Sequence, residues 1–228
     1  VADPVLLITG ASTGIGEATA RAAAAAGYRL VLAARSEDKL AALADELGSA
    51  DRALAVRCDV TEWDQQQAMV AAALERFGQI DAVFANAGFG AKRGFLNESP
   101  EHWREMVLTN VYGAALTIRA TVEELRRTKG HLLLTGSVAG RKVVPGSIYS
   151  CTKHAVGAMA EALRQEVHGS GVRVTNIAPG TVTTPFYDDP PTGVLESEDV
   201  ARAALYALSQ PPHVDVNEIL LRPTTQEF

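Results

Sequence analysis

Short apolar runs alternate with longer alanine-rich or amphipathic stretches along almost the whole chain. Val5 to Ile8 reads as a strand, Glu17 to Ala26 as a helix stopped by Gly27, and Arg29 to Ala33 as a second strand. A helix at Glu37 to Leu47, a strand at Ala53 to Arg57, a helix at Glu62 to Phe77 and a strand at Asp81 to Ala85 continue the pattern. In the second half, a short helix at His102 to Val107 and a long one at Val111 to Arg127 precede a strand at His131 to Thr135. A long helix, Tyr149 to His168, a strand, Val172 to Ile177, a helix, Glu198 to Leu208, and a last strand, Val216 to Leu220, complete it. The strands are near-continuous apolar runs, as expected when helices cover both faces of a parallel sheet. The repeated βαβαβα order predicts one doubly wound α/β domain over 1–228. Gly180 to Ser197, with Pro185, Pro190, Pro191 and Gly193, is the least regular stretch and reads as a surface loop.

Composition narrows the function classes. With 228 residues and 47% hydrophobic content, the chain can bury one substantial core. A net charge of -6 argues against a broad nucleic-acid surface, and 6% aromatics leave little for base stacking. Cys58 and Cys151 make no disulfide scaffold, and the five histidines show no metal-ligand spacing, so no metal is expected. No apolar run reaches 18 residues, and Val1 to Thr9 is too short for a signal peptide, so a cytoplasmic setting without a membrane is expected.

The first turn carries the first chemical signal. Thr9-Gly10-Ala11-Ser12-Thr13-Gly14-Ile15-Gly16 follows a strand and opens a helix. Its glycines allow a tight turn and close approach of backbone to a ligand, and the N–H groups of a helix start can hold a pyrophosphate. The spacing is G-x-x-x-G-x-G rather than G-x-G-x-x-G, and the absence of a following Gly-Lys-Ser/Thr speaks against a triphosphate loop. The second strand ends at Arg35-Ser36 with no acid there to accept from ribose hydroxyls. A guanidinium suits a 2'-phosphate, which favours NADP(H), although Arg35 also reads as a solvated strand-end charge. After the third strand, Asp59-Val60 offers an acceptor for the adenine amino group; helix capping is the competing reading, with Thr61 better placed for it. Asn86-Ala87-Gly88 places small residues where a cofactor would cross the sheet edge, and Cys58 reads as a buried small hydrophobe.

The second signal lies on the long helix. Tyr149 and Lys153, four apart, share one helix face. A nearby ammonium favours phenolate, which equips the tyrosine to pass a proton to or from a carbonyl or alcohol oxygen. Ser137, twelve residues earlier at a strand end, can hold the same oxygen.

Together these motifs resemble the short-chain dehydrogenase/reductase family. The matching elements are the Thr9–Gly16 turn, Asp59-Val60, Asn86-Ala87-Gly88, Asn110, Ser137, Tyr149-Ser150-Cys151-Thr152-Lys153 and Pro179-Gly180-Thr181-Val182-Thr183-Thr184. The resemblance implies a seven-stranded Rossmann sheet of order 3-2-1-4-5-6-7, with cofactor across its carboxyl edge. Tyr149 would be general acid in reduction and base in oxidation, with hydride passing directly between nicotinamide and substrate. Lys153 would lower the tyrosine pKa and hold the nicotinamide ribose, and Ser137 would orient the substrate. Asn110 would interrupt its helix and position a water; from the residues alone it is equally a polar residue near a helix start. Pro179, Gly180, Val182 and Thr184 would embrace the nicotinamide, and the 181–197 loop would meet the substrate. Subunits would pair through the helices carrying Ala114, Ala115, Ala155, Ala158, Met159, Ala160 and Leu163, giving a homotetramer or a dimer; burial against the chain's own sheet is the other use for these residues.

The C-terminal stretches 211–217 and 222–226 are similar to the NADP-dependent 3-hydroxy acid and serine dehydrogenase branch. Substrate signals conflict. Arg141, Lys92 and Arg93 are candidates for binding a carboxylate, whereas Asp188 and Asp189 would repel one. Phe186, Tyr187, Phe89 and Phe95 offer apolar contact. The balance points to a broad reductase of small to medium ketones and aldehydes, with a 3-hydroxy acid dehydrogenase as the alternative. A non-catalytic dinucleotide-sensing regulator is the reading from another class, disfavoured because Ser137, Tyr149 and Lys153 are all present. An epimerase or dehydratase of the extended relatives would need a further substrate domain.

Overall fold

The computed structural model describes residues 3–184 and 192–227, the side chain of Ala50 excepted. Its core is a seven-stranded, wholly parallel sheet of order β3-β2-β1-β4-β5-β6-β9. The strands are β1 Val5–Thr9, β2 Arg29–Ala34, β3 Ala53–Arg57, β4 Ala82–Ala85, β5 His131–Thr135, β6 Arg173–Pro179 and β9 Glu218–Leu221. This is the expected Rossmann order, with β9 in seventh place. A two-stranded parallel pair, β7 Val182–Thr183 with β8 Leu195–Glu196, closes the base of the stretch read as a loop.

Both faces of the sheet are buried, and strand periodicity divides the core in two. Leu6, Ile8, Leu30 and Leu32 point to one side, packing beneath α1 (Gly14–Ala25), α2 (Glu37–Glu46) and α8 (Ser197–Ser209). Val5, Leu7, Val31 and Ala33 point to the other, beneath α4 (Trp63–Phe77), α6 (Ala114–Thr128) and α7 (Ile148–Glu166). That accounts for the continuous apolar runs in the sequence. Leu6 and Leu32 are fully buried, so truncating either to Ala removes about 2–5 kcal/mol. A short helix α3, Ser49–Arg52, lies where the sequence suggested none.

The largest departure from the sequence reading is between β4 and β5. Instead of two helices, one helical run extends from Pro100 to Thr128. α5 (Pro100–Val107) passes into α6 through a π-helical turn, Leu108–Gly113, without leaving helical backbone angles. The wider turn breaks the 3.6-residue periodicity at Asn110, which is why the sequence reads as two pieces. Among the described residues no helix is long and apolar enough to cross a membrane. No cluster of three ligating side chains could hold a metal ion, again among the described residues, and Cys58 and Cys151 are free thiols.

Candidate active site at the carboxyl edge of the sheet

A cavity of about 680 Å³ runs across the carboxyl ends of β1, β2, β4, β5 and β6. One end is the glycine turn. Gly10 and Gly14 have φ of +66° and +57°, angles that favour glycine. A Cβ on Gly10 would lie 2.9 Å from the Cα of Ala87, so the β1 and β4 loops touch only because it is absent. Gly10, Ser12, Thr13, Gly14 and Ile15 line the cavity. Gly16 does not; it is buried, and a side chain there would overlap the Gly10 carbonyl. Its place is close packing of helix against turn. No side chain caps α1, since Thr13 makes no capping bond, and the helix start faces the cavity with Gly14 and Ile15.

Arg35 and Ser36, both exposed, line the next part of the cavity beside Ala34. Asp59 and Val60 line it too. The Asp59 carboxylate accepts from the Thr61 N–H at 3.0 Å and the Thr61 hydroxyl at 2.8 Å. Thr61 therefore does not cap the following helix, whose N-cap position is Glu62. Cys58 also lines this wall but is buried, and burial together with neighbouring Asp59 pushes its thiol up to about 11. It is an inert packing group at neutral pH.

Asn86, Ala87 and Gly88 form the middle of the wall, held by side chains from two neighbouring strands. Thr9 Oγ1 accepts from the N–H of Asn86 and of Ala87 at 3.1 and 3.2 Å. The Asn86 amide donates to the Thr9 carbonyl at 3.1 Å and accepts from the Thr135 hydroxyl at 2.9 Å. β1, β4 and β5 are thus fastened together where backbone pairing ends.

Ser137, Tyr149 and Lys153 line the cavity as well. Ser137 sits two residues beyond β5, its Oγ accepting from the Ala139 N–H at 3.1 Å. Lys153 is 5% exposed, and burial brings its pKa down to about 8. Its Nζ donates to the Thr135 carbonyl at 2.7 Å and lies 5.6 Å from the Tyr149 ring centre. Gly88 faces this ammonium: a Cβ there would be 3.7 Å from Nζ and 2.9 Å from Asn110 Oδ1.

Asn110 is buried and does not line the cavity; it holds the wall from behind. Its Oδ1 accepts from the Phe89 N–H at 3.0 Å, and its Nδ2 donates to the Phe89 carbonyl at 2.8 Å and to Thr152 Oγ1 at 3.2 Å. Thr152 in turn donates to the Tyr149 carbonyl at 2.8 Å. One hydrogen-bonded line joins the β4 loop, the π turn and α7. Pro179, Gly180, Thr181, Val182 and Thr184 close the opposite side.

The basic candidates separate. Arg93 lines the cavity. Arg141 does not: its Nε donates to Glu218 on β9 at 2.7 Å, and Glu218 also accepts from Asn176 at 3.2 Å. A strand-edge carboxylate, invisible as a partner from 77 residues away, has taken the charge. Lys92 is not on the wall either; its backbone N–H donates to Glu98 at 3.4 Å. Phe89 is on the wall, its ring edge-on to His102 at 5.2 Å, whereas Phe95 is 64% exposed and off it. Phe186, Tyr187, Asp188 and Asp189 lie outside the described residues. The sequence reading missed Thr135, His102, Glu105, Lys142 and Gln226, all of which line the cavity. No local motif marks the first four, and Gln226 lies within the C-terminal resemblance without a site role.

Comparison with known proteins settles the lineage. Residues 4–191 match the family model described as short chain dehydrogenase. The chain belongs to that family. It is an oxidoreductase. An uncharacterised oxidoreductase of Staphylococcus saprophyticus is 37% identical over 228 residues, covering 97% of each chain. Among solved structures, an alcohol dehydrogenase of the archaeon Thermococcus sibiricus, complexed with 5-hydroxy-NADP, is 35% identical with a TM-score of 0.91, covering 98% of this chain and 97% of that one. Serine dehydrogenase of Escherichia coli is 31% identical with a TM-score of 0.90, covering 98% of this chain and all of that one.

Proposed function

We propose that the protein is an NADP(H)-dependent reductase of small to medium ketones and aldehydes, with Tyr149 as the general acid. The observation that carries this reading is that Ser137, Tyr149 and Lys153 line the same cavity as the glycine turn and Arg35. The residues fit a dinucleotide. Gly10 and Gly88 leave room where side chains would collide, an uncapped helix start faces the cavity, and Arg35 on the same wall offers a guanidinium suited to a 2'-phosphate. The solved relative bound to an NADP derivative supports the phosphate preference. When bound, the cofactor supplies or accepts the hydride.

The protein's own work is placement and proton transfer. Ser137 holds the substrate oxygen and Tyr149 donates its proton to it. With a pKa of about 8, Lys153 is mostly ammonium at neutral pH, and its charge beside the ring makes phenolate accessible. The Thr135 carbonyl fixes that ammonium in place. Asn110 holds the Phe89 backbone, and so the floor beneath the substrate.

A second reading, 3-hydroxy acid oxidation, is favoured by Arg93 and Lys142 on the cavity wall and by the likeness to serine dehydrogenase. Glu105 on the same wall and the loss of Arg141 to Glu218 weigh for a neutral substrate. The test is kcat/KM with NADPH for a β-keto acid and its methyl ester. Equal values or a preference for the ester support the neutral-carbonyl reading. A tenfold preference for the acid, about 1.4 kcal/mol, supports the hydroxy acid reading. Absence of NADPH oxidation across a carbonyl panel, with binding intact, leaves the sensing regulator.

Assembly as a homotetramer is part of the same proposal. Ala114, Ala160 and Leu163 are consumed by the chain's own core, while Ala158, Val107 and Tyr112 stay exposed on the paired helices. Sedimentation at micromolar concentration reads the state directly, and a monomer there refutes it.

A further inference from the structure

The C-terminal run Arg222-Pro223-Thr224-Thr225-Gln226 has no part in the chemistry above, yet it touches the cavity. Pairing of β6 with β9 continues one step past the strands, with the Gly180 N–H donating to the Leu221 carbonyl at 2.7 Å. The chain then turns at buried Pro223, and the Gln226 N–H donates to the Pro223 carbonyl at 3.0 Å. This turn brings the Gln226 side chain back across Gly180. Its Oε1 accepts from the Thr181 N–H at 2.9 Å. A Cβ on Gly180 would overlap that oxygen and lie 3.2 Å from Pro223 Cδ. Gly180 has no positive φ, so space for the tail, not backbone freedom, is what the missing side chain provides here.

The neighbouring contacts have the same sense. The Thr181 carbonyl accepts from the Leu195 N–H at 3.1 Å, so the peptide groups on both sides of Thr181 are held. Thr225 Oγ1 donates to the Gly193 carbonyl at 3.0 Å. Two consecutive tail residues therefore hold Thr181 and Gly193. Gly180, Thr181, Val182 and Gln226 all face the cavity that holds Tyr149 and Lys153.

We propose that Gln226, assisted by Thr225, is a positioning residue that sets the Gly180–Thr181 peptide and so shapes the nicotinamide end of the cofactor site. The effect on cofactor rests on the dinucleotide reading of the cavity; the grip on Thr181 does not. A peptide whose orientation is fixed in advance costs the ligand nothing to order, whereas a released one must be ordered on binding.

Gln226→Leu keeps the side chain's bulk and removes the acceptor; Gln226→Glu keeps an acceptor oxygen. Two quantities are read on each variant: amide hydrogen exchange of a peptide covering 180–184 in the cofactor-free protein, and NADPH affinity by fluorescence titration. In Gln226→Leu, exchange at Thr181 rises at least tenfold and the NADPH Kd rises about fivefold or more, while Gln226→Glu stays within twofold of the parent in both. Unchanged exchange in Gln226→Leu, or faster exchange with NADPH affinity within twofold, overturns the proposal. A parent protein that binds no NADPH overturns the dinucleotide reading and this role with it, whatever the exchange shows. If Gln226→Leu fails to fold, Thr225→Val frees the Gly193 carbonyl and must weaken NADPH binding; if it does not, the proposal falls.

Discussion

The two edges of the one sheet use buried polar groups in opposite ways. At the carboxyl edge, Thr9, Asn86, Thr135 and Asn110 spend their hydrogen bonds on backbone and on each other. Beside them glycines and the ends of Ser137, Tyr149 and Lys153 line a cavity of about 680 Å³, with Asn86 and Thr135 themselves on its wall. At the amino edge a cavity of about 180 Å³ lies among Tyr28, Asp81, His131 and Arg173. There the titratable groups themselves are the fasteners. The Asp81 carboxylate accepts from the Val5 N–H at 2.7 Å and from Gln79 at 2.8 Å, and Arg173 donates to the Gln210 carbonyl at 3.0 Å. His131 is tied to Thr175 at 2.7 Å. The Thr175 hydroxyl gives its proton to the Val216 carbonyl, which assigns hydrogen to His131 Nε2; among the described residues the buried Nδ1 has no partner. Each edge holds one buried base pushed toward neutrality: Lys153 to about 8 and His131 to about 3. Only the lysine sits within a pH unit of neutrality and beside a second titratable side chain with access to a cavity. Burial alone does not separate the two bases; a pKa near neutrality and a tyrosine ring beside the ammonium on the larger cavity do.

The contrast can be broken most sharply at Tyr149. Tyr149→Phe lowers turnover by about 10²–10⁴-fold, with NADPH affinity and melting temperature nearly unchanged, when steady-state rates and fluorescence titration are measured side by side. A rate within twofold of the parent removes the tyrosine from the chemistry.

At the amino edge the effect falls on stability. His131 is neutral in the fold because burial, and then the Arg173 charge, hold its pKa near 3. The unfolded chain takes up that proton near pH 6.5, so stability is fully present above 6.5 and drains away as pH falls toward 3. Between pH 6.5 and 4 this amounts to about 3 kcal/mol. Thermal or urea unfolding of His131→Gln loses that much less over this interval than the parent does, while the carboxylates titrate alike in both. Parallel pH profiles would show the histidine already protonated in the fold.

Arg35 tests how the open edge reads charge. Arg35→Ala weakens NADPH binding about tenfold to a hundredfold, the worth of a charge-assisted phosphate contact, and leaves NADH binding within about twofold. Equal losses for both cofactors show that Arg35 does not meet the phosphate. Smallest is Arg141→Ala. Its pair with Glu218 is half exposed, so unfolding free energy changes by less than about 1 kcal/mol. KM for an anionic substrate stays put; a rise of tenfold returns Arg141 to the site.

What the sequence showed in advance was what local physics writes locally. Continuous apolar runs announce strands covered on both faces, a glycine-rich turn between strand and helix announces close approach, and a tyrosine four residues before a lysine announces a shared helix face. Thr135 became visible only once β5 was laid beside α7, because its carbonyl meets an ammonium 18 residues away. Gln226 reaches Thr181 across 45 residues, and Arg141 reaches Glu218 across 77. Such partners are chosen by topology, and no window of neighbouring residues contains them. Asn110 stands between these cases: its identity was readable, but its partner, the Phe89 backbone, was not.

The π turn at Leu108–Gly113 sets the phase of everything after it. An α-helix advances about 100° per residue, so one residue accommodated in a wider turn rotates the later helix by that angle relative to the earlier one. Asn110 faces inward against Phe89 and Thr152. Thr117, Thr121 and Leu125 of α6 still face the interior, and Arg119 and Arg127 the surface. Removing a single residue from this turn would regularise the helix and gain hydrogen bonds locally. It would also face α6 with the wrong side, or carry Asn110 away from the site. The chain keeps a surplus residue in mid-helix as a phase shifter, letting the two halves of one rod obey different partners.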